Sequence, residues 1–185
     1  MTRIVVHADE SCLGNGRAGA NPGGAGGLVE IAKEGGVARR DYWLSEPDTT
    51  NNRMAIRSAM LAIELLNDGG RRRLKLAFIT DSQYLQKGMS EWLRGWKRRA
   101  WKNVMNVELW QTLDALAAPH DIHWRWVRGH KGHPKNEYAD FLATRAAREQ
   151  TSSGGLAESG FAEWLEGQRA KKRYGDYDPD KLTLE

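Results

Sequence analysis

The sequence predicts an α/β protein in which a mixed five-stranded sheet is flanked by helices. Short apolar runs of strand length recur along the chain, and stretches with apolar residues at helical spacing separate the later runs. Short connections join the first three runs, which favours an antiparallel meander to which later strands are added in parallel. The predicted order is β-β-β-α-β-α-α-β-α.

The first half of the chain predicts three strands and a helix before the fourth strand. The first strands are expected at 3–9, 27–33 and 38–44. Seven glycines between Gly14 and Gly27 separate the first two and predict a flexible or tightly turned loop. Apolar residues recur at helical spacing from 52 to 67, and a nearly continuous apolar run at 74–80 predicts a strand buried on both faces.

The second half predicts helices around a fifth strand, followed by an extension. Helical segments are expected at 82–88, 91–97, 104–117 and 134–148, and the alternating strand at 122–127. Ser82 is a suitable N-cap, Pro119 ends the third helix, and Pro134 begins the fourth. We place a domain at 1–149 and a C-terminal extension at 150–185, which holds a Ser/Gly linker and one helix at about 161–172.

Composition predicts a soluble globular protein. The chain has 185 residues, of which 40% are hydrophobic and 28% charged, enough for one domain with a short appendage. No run approaches the roughly 18 apolar residues of a membrane helix. The single cysteine, Cys12, excludes an internal disulfide framework. The sequence shows no signal-peptide pattern, so we expect a cytoplasmic protein. We also expect a monomer with no membrane partner.

The net charge of +4 is unevenly distributed along the chain. Basic residues are concentrated in residues 92–103, which we name the basic strip. Five basic residues alternate there with three tryptophans, and no acid intervenes. A cationic segment that carries aromatic rings is typical of proteins that bind a nucleic-acid backbone. The alternative is an amphipathic surface helix whose tryptophans face the core.

The segment Gly14-Asn-Gly16-Arg-Ala-Gly19 matches the G-x-G-x-x-G pattern of dinucleotide-binding turns. That pattern requires a helix to begin at its last glycine, because the helix amides bind the pyrophosphate. The glycine- and proline-rich residues 20–27 cannot form that helix. We therefore reject a nucleotide-binding oxidoreductase.

Three aspartates are the main candidates for chemistry. Asp9 and Asp81 each close an apolar run, and Asp140 lies in a helical pattern. Carboxylates at strand ends and on a helix can converge in a fold, and a converged group repels itself unless it binds a divalent cation. The alternative is structural: strand-end residues that accept from turn amides, and a solvated helix residue.

Six motifs carry a resemblance to a known family. In chain order they are Asp9-Glu-Ser-Cys-Leu-Gly-Asn15, Thr49-Thr-Asn-Asn-Arg-Met54, Thr80-Asp-Ser-Gln-Tyr84, residues 92–101, Asn106-Val-Glu-Leu-Trp110 and residues 126–137. Together they resemble bacterial ribonuclease HI across about residues 3–148. The resemblance implies the ribonuclease H-like fold and an endonuclease that cuts the RNA strand of an RNA–DNA hybrid duplex. It also implies two Mg²⁺ ions as cofactors, with Mn²⁺ as the alternative.

The resemblance further implies roles for single residues. Asp9 would bridge both ions, Asp81 and Asp140 would each bind one, and His130 would manage protons or product release beside them. His133 is expected to pack locally or cap the helix. The implied substrate-binding residues are Asn15, Asn51, Asn52 and Gln83 in the minor groove, Thr50 and Asn106 at a DNA phosphate, and Trp96, Lys97, Arg98, Arg99, Trp101 and Lys102 in the basic strip.

One acid of the family pattern is absent. After its Thr-Asn-Asn-Arg-Met-like run the family has a metal-binding glutamate, whereas this chain has Ala55. Glu64 lies on the opposite helix face, and Glu10 follows Asp9 in a strand and should point to the other side of the sheet. We therefore expect an engineered Glu-to-Ala change or a naturally inactive protein, with strongly reduced cleavage and hybrid binding largely kept.

Two alternative functions remain open from the sequence. A protein that binds RNA–DNA hybrids without cutting them would explain Ala55 directly. The second is another nuclease or recombinase of the same fold, such as a transposase-like enzyme. The basic strip and the Thr-Thr-Asn-Asn-Arg run argue against that second alternative.

Overall fold

The computed structural model describes residues 3–14, 19–71, 73–129 and 132–182. The strands are β1 Arg3–Cys12, β2 Gly23–Lys33, β3 Gly36–Glu46, β4 Lys75–Thr80, β5 Asp121–Trp126 and β6 Ala157–Glu158. The α-helices are α1 Asn51–Leu66, α2 Gln83–Lys87, α3 Leu93–Arg98, α4 Val107–Ala117, α5 Pro134–Glu149 and α6 Phe161–Ala170. A π-helical turn, Gly88–Trp92, joins α2 to α3.

All strands belong to one mixed sheet in the order β5-β4-β1-β2-β3-β6. The meander β1-β2-β3 is antiparallel, and β4 and β5 run parallel to β1, which confirms the predicted α/β class. The prediction of five strands was wrong by one, since β6 pairs with β3 through Arg40↔Glu158 and Asp41↔Ala157. A two-residue strand has no periodicity of its own, because docking of the extension on the sheet edge creates its pairing.

Helices cover both faces of the sheet. Val6 and Ala8 of β1 lie in the main core with residues of α1 and α4, among them Ala59 and Trp110. Helix α5 covers the other face of β1 and β2. Since successive side chains of a strand alternate in direction, α5 faces the odd-numbered residues of β1, including Asp9.

The glycine-rich segment is a strand over much of its length, which corrects the loop prediction for residues 23–27. Strand β2 begins at Gly23 and pairs with β1 along its whole length. A Cβ atom added to Gly26 would lie 2.5 Å from Leu142 Cβ and 2.8 Å from Ala143 N in α5. The glycine therefore permits α5 to pack directly on the sheet backbone.

The C-terminal extension packs against the domain. Phe161 and Leu165 of α6 are buried against Leu28 of β2 and Tyr138 of α5. Helix α6 ends at Ala170, close to the predicted end. Among the helices of the described residues, none combines the length and apolar character needed to cross a membrane.

Candidate active site

Acidic side chains converge where β4 ends beside β1. One carboxylate oxygen each from Asp9, Glu10 and Asp81 lie within 4.8 Å of one another. Asp140 is close enough for its charge to raise the pKa values of both Asp9 and Glu10. The fold thus brings together the three aspartates singled out in the sequence, and adds Glu10; we call these four side chains the acid cluster.

Asp9 is oriented through both of its carboxyl oxygens. The backbone N–H of Glu10 donates to Oδ1 at 2.7 Å, and Asn136 Nδ2 donates to Oδ2 at 3.1 Å. Asn136 and Asp140 are four residues apart and therefore share one face of α5. Sequence reasoning missed Asn136, although this spacing could have indicated it.

Asp81 directly follows β4 and lies against the end of β5 and the segment that follows it. Trp126 Nε1 donates to the Asp81 carbonyl at 2.9 Å. A Cβ atom at Gly129 would collide with Asp81 Oδ2, so only glycine lets the backbone there approach this carboxylate. On α5, Asp140 is half-buried and accepts from Thr144 Oγ1 at 3.5 Å.

Glu10 was expected to point to the other side of the sheet from Asp9, yet one of its carboxylate oxygens lies within 4.8 Å of oxygens of Asp9 and Asp81. Strand β4 pairs with β1 only as far as Ala8↔Thr80, whereas β1 continues alongside β2 to Cys12. Beyond Ala8 the β4 side of β1 is therefore open. Alternation fixes the direction of a Cβ atom, but a glutamate side chain is long enough for its carboxylate to lie far from that direction, beside Asp9 and Asp81.

Repulsion within the acid cluster is strong. Burial and the charge of Asp81 raise the pKa of Asp9 to about 9, with smaller contributions from Glu10 and Asp140. Burial, Asp81 and Asp140 likewise raise the pKa of Glu10 to about 8. These groups hold protons at neutral pH unless a positive charge joins them.

Ala55 lies in the first turns of α1 and is buried in the core beside Ala8. By strand alternation, Glu10 leaves β1 on this same α1 side. The position of Glu10 thus explains how the chain can have a small residue at 55 and still have four acids in the acid cluster.

Two predicted residues, Asn15 and His130, lie outside the described residues. His133 is exposed and stands at the N-cap position of α5, where its carbonyl accepts from the Glu137 N–H at 3.0 Å. Its side chain makes no cap hydrogen bond.

Thr50 and Asn106 are joined through Arg53. Thr50 caps α1 by accepting from the Arg53 N–H at 3.3 Å, and Arg53 Nη1 donates to Asn106 Oδ1 at 3.2 Å. Asn106 adopts a left-handed backbone conformation with φ of 57° and donates to Tyr84 Oη. The two predicted phosphate contacts are therefore neighbours, and Arg53, which sequence reasoning missed, lies between them.

The remaining predicted minor-groove residues begin helices. Asn51 and Asn52 form the first turn of α1, and Gln83 is the first residue of α2. Asn52 and Gln83 are exposed, as a groove contact requires. Asn51 Oδ1 is buried, and no described residue satisfies it.

The basic strip packs on a cluster of tilted aromatic rings. The ring of Trp96 lies 5.7 Å from Trp92, 6.3 Å from Trp101 and 5.1 Å from the buried Trp110. Trp96 and Trp101 are half-buried against the core, as the alternative of core-facing tryptophans expects, and their contact with nucleic acid stays a prediction. Four predicted basic contacts are exposed, namely Lys97, Arg98, Arg99 and Lys102.

Lys97 differs from the other three because its Nζ lies 2.7 Å from Asp114 Oδ2. This ion pair partly neutralises the charge of Lys97 within the protein.

Comparison with known proteins gives close relatives. The RNase H family profile matches residues 1–148. A ribonuclease H from Cupriavidus necator is 46% identical over 151 residues, which cover 78% of this chain and 95% of the relative. A ribonuclease HI from Caulobacter vibrioides is 43% identical over 152 residues, covering 80% and 94%.

A solved structure, described as LC9-RNase H1, a type 1 RNase H with the type 2 active-site motif, superposes with a TM-score of 0.85 at 45% identity. It covers 97% of this chain and 92% of its own, and so extends into residues beyond 148. Together with the family match, these similarities establish that the chain belongs to the ribonuclease H family.

Proposed function

We propose that this chain is an active endonuclease that hydrolyses the RNA strand of RNA–DNA hybrids, and that Glu10 supplies the acid absent at Ala55. The observation that carries the proposal is the approach of Asp9, Glu10 and Asp81 oxygens to within 4.8 Å of one another. With Asp140 beside them, four carboxylates meet at the end of β1.

The acid cluster fits divalent cations. Mg²⁺ prefers oxygen ligands and retains several waters, so three or four carboxylates suffice as the protein's share. Burial and repulsion among the acids raise the pKa values of Asp9 and Glu10, and a bound cation would offset both effects. We assign two Mg²⁺ ions to Asp9, Glu10, Asp81 and Asp140, with Mn²⁺ as the alternative.

Two bound metals supply an activated water and neutralise the charge on the leaving oxygen of a phosphodiester. The protein contributes the orientation of their ligands. Asn136 and the Glu10 amide fix Asp9, while Gly129 and Trp126 hold the chain beside Asp81. All four acids come from one chain, so a monomer suffices.

Exposed polar and basic groups on the same protein would hold the hybrid. Asn52 and Gln83 present amides suited to 2′-hydroxyls of the wide minor groove. Thr50 and Asn106, joined by Arg53, form the proposed site for a DNA phosphate. Arg98, Arg99 and Lys102 add sequence-independent attraction to the backbone.

The test is cleavage of a labelled hybrid in Mg²⁺ by this chain and by Glu10→Gln. We expect the parent to cut only the RNA strand, and Glu10→Gln to lower kcat by roughly a hundredfold or more through loss of a ligand charge. Double-stranded DNA of the same sequence is the substrate control. A parent chain that binds hybrid without cutting it would instead support the non-cleaving alternative suggested by Ala55.

A further inference from the structure

The segment 157–182, which we name the C-terminal strap, is an integral part of the fold although the family match ends at residue 148. It begins with β6 on the edge of β3 and continues through α6, which buries Phe161 and Leu165. Asp41 Oδ2 receives hydrogen bonds from both Tyr138 Oη of α5 and the Gly160 N–H of the strap. Asp41 of β3 thus links the strap to α5.

Beneath the strap lies a buried ionic network centred on Glu30 of β2, which is inaccessible to solvent. Its Oε1 accepts from Arg39 Nε at 3.0 Å, and its Oε2 accepts from Lys135 Nζ at 2.8 Å and lies 3.3 Å from His7 Nε2. Burial opposes ionisation, but hydrogen bonds and charge from His7 and Lys135 prevail and lower the pKa of Glu30 to about 2. The carboxylate is therefore charged, and buried charges depend on every partner.

The end of the strap supplies the outer partners of this network. Asp180 Oδ1 lies 2.9 Å from Arg39 Nη2, which also donates to the Pro179 carbonyl. The Lys181 carbonyl accepts from Lys135 Nζ at 3.1 Å. Lys135, which is only 3% exposed, is thus held between the sheet on one side and the strap on the other.

Lys135 connects the strap to the acid cluster. It is the second residue of α5 and immediately precedes Asn136, whose amide donates to Asp9. Asp140 follows one turn later on the same helix. Any shift of the first turn of α5 therefore moves a hydrogen-bond donor of Asp9, and Asp140 lies in the adjoining turn of the same helix.

We propose that the C-terminal strap is a positioning element of the acid cluster and that it acts through Lys135. The proposal rests on the proposed function, since it concerns the metal ligands assigned there. Without the Lys181 carbonyl, the Lys135 ammonium keeps Glu30 Oε2 as an acceptor in a buried site, and the N–H that had bonded to the strap must turn toward water. The first turn of α5 then loosens, and small displacements of ligands reduce both metal affinity and rate.

Two variants remove the hydrogen bond between Lys135 Nζ and the Lys181 carbonyl in different ways. One ends the chain after Asp178, and the other is Lys135→Met, which keeps the side-chain length. We expect each to weaken Mg²⁺ binding and to lower kcat on a hybrid by about tenfold, with KM within about twofold of the parent. Lys171→Met removes an exposed charge from the strap as the matched control and should leave Mg²⁺ affinity unchanged.

Mg²⁺ binding is measured by titration calorimetry without substrate, and all assays run well below the melting temperature of each variant. If the strap acts through Lys135, shortening the chain in the Lys135→Met background gives no further loss of affinity or kcat. Additive losses, or lower melting temperatures with Mg²⁺ affinity and kcat unchanged, overturn the proposal.

A truncated chain that fails to fold leaves Lys135→Met to decide, because that variant keeps the whole strap. Parent-like Mg²⁺ affinity and kcat in Lys135→Met then overturn the proposal. A full-length parent that neither binds Mg²⁺ nor cuts a hybrid contradicts the proposed function instead, so the two failures are distinguishable.

Discussion

Asn136 of α5 donates from Nδ2 to Oδ2 of Asp9 at 3.1 Å, which joins the last helix of the domain to the central strand inside the acid cluster. Both side chains are buried, with exposures of 1% and 4%. Asn136 Oδ1 is also buried, and none of the described residues satisfies it. The hydrogen bond that orients Asp9 is thus the one that the Asn136 side chain makes with the described residues.

Replacing Asn136 with Ala is expected to lower the free energy of unfolding by about 1–3 kcal/mol, because Oδ2 of the buried Asp9 carboxyl loses its hydrogen-bond donor. Urea unfolding in EDTA measures this loss. Asn52→Ala, an exposed change in the first turn of α1, is the control and should stay within about 0.5 kcal/mol of the parent. Equal stability of the two variants would contradict the role given to Asn136.

The metal-free protein should lose stability as pH rises. The pKa values of Asp9 and Glu10 are raised to about 9 and about 8, whereas the unfolded chain releases these protons near pH 4. Between these limits the folded state holds more protons, so its stability falls with increasing pH. Melting temperatures in EDTA are expected to decrease from pH 6 to pH 9.

Mg²⁺ should reverse this loss and displace protons as it binds. Titration calorimetry at pH 7 in two buffers of different ionisation enthalpy measures the release. Identical apparent binding enthalpies in the two buffers would mean that no proton leaves, contrary to the raised pKa values.

An exchange of acids between positions 10 and 55 tests which one the site uses. Glu10→Ala is expected to lower kcat by roughly a hundredfold, and adding Ala55→Glu to that variant should restore much of the loss. Ala55→Glu alone should change kcat little and destabilise the metal-free protein, because it adds an acid to a buried core position. A large gain in cleavage from Ala55→Glu alone would favour the impaired enzyme predicted from the sequence.

Gly26→Ala should weaken the packing of α5 on the sheet. The added Cβ would lie 2.5 Å from Leu142 Cβ, so the helix must shift at a cost of about 1–3 kcal/mol. Thermal or urea unfolding measures the cost. Gly167→Ala is the matched control in α6, where a Cβ meets nothing within 4 Å and should stabilise by about 0.5–1 kcal/mol.

Hybrid binding should depend on salt through the exposed part of the basic strip. Arg99→Met is expected to lower the slope of log Kd against log salt by about one, because one phosphate contact is lost. Lys97→Met should reduce that slope less, since Lys97 is already paired with Asp114 at 2.7 Å. Fluorescence anisotropy in Ca²⁺ measures binding, and equal slopes for the parent and Arg99→Met would remove the strip from the interface.

The class of fold, the five main strands and the three aspartates of the acid cluster could be predicted from the sequence. Apolar periodicity is local, so β4 and α5 were recognisable without knowledge of their neighbours. Asp9 and Asp81 were recognisable because each closes an apolar run, and the parallel pair Ala8↔Thr80 sets the two aspartates side by side although β1 continues to Cys12.

The proximity of Glu10 to Asp81, the pairing of β6 and the placement of the strap arise only from tertiary structure. Strand alternation predicts where the Glu10 side chain begins, whereas the position of its carboxylate beside Asp81 depends on where β4 ends relative to β1. Similarly, the glycines of β2 resemble a loop until α5 packs against them. These features depend on contacts between segments distant in the chain, which local patterns of residues do not encode.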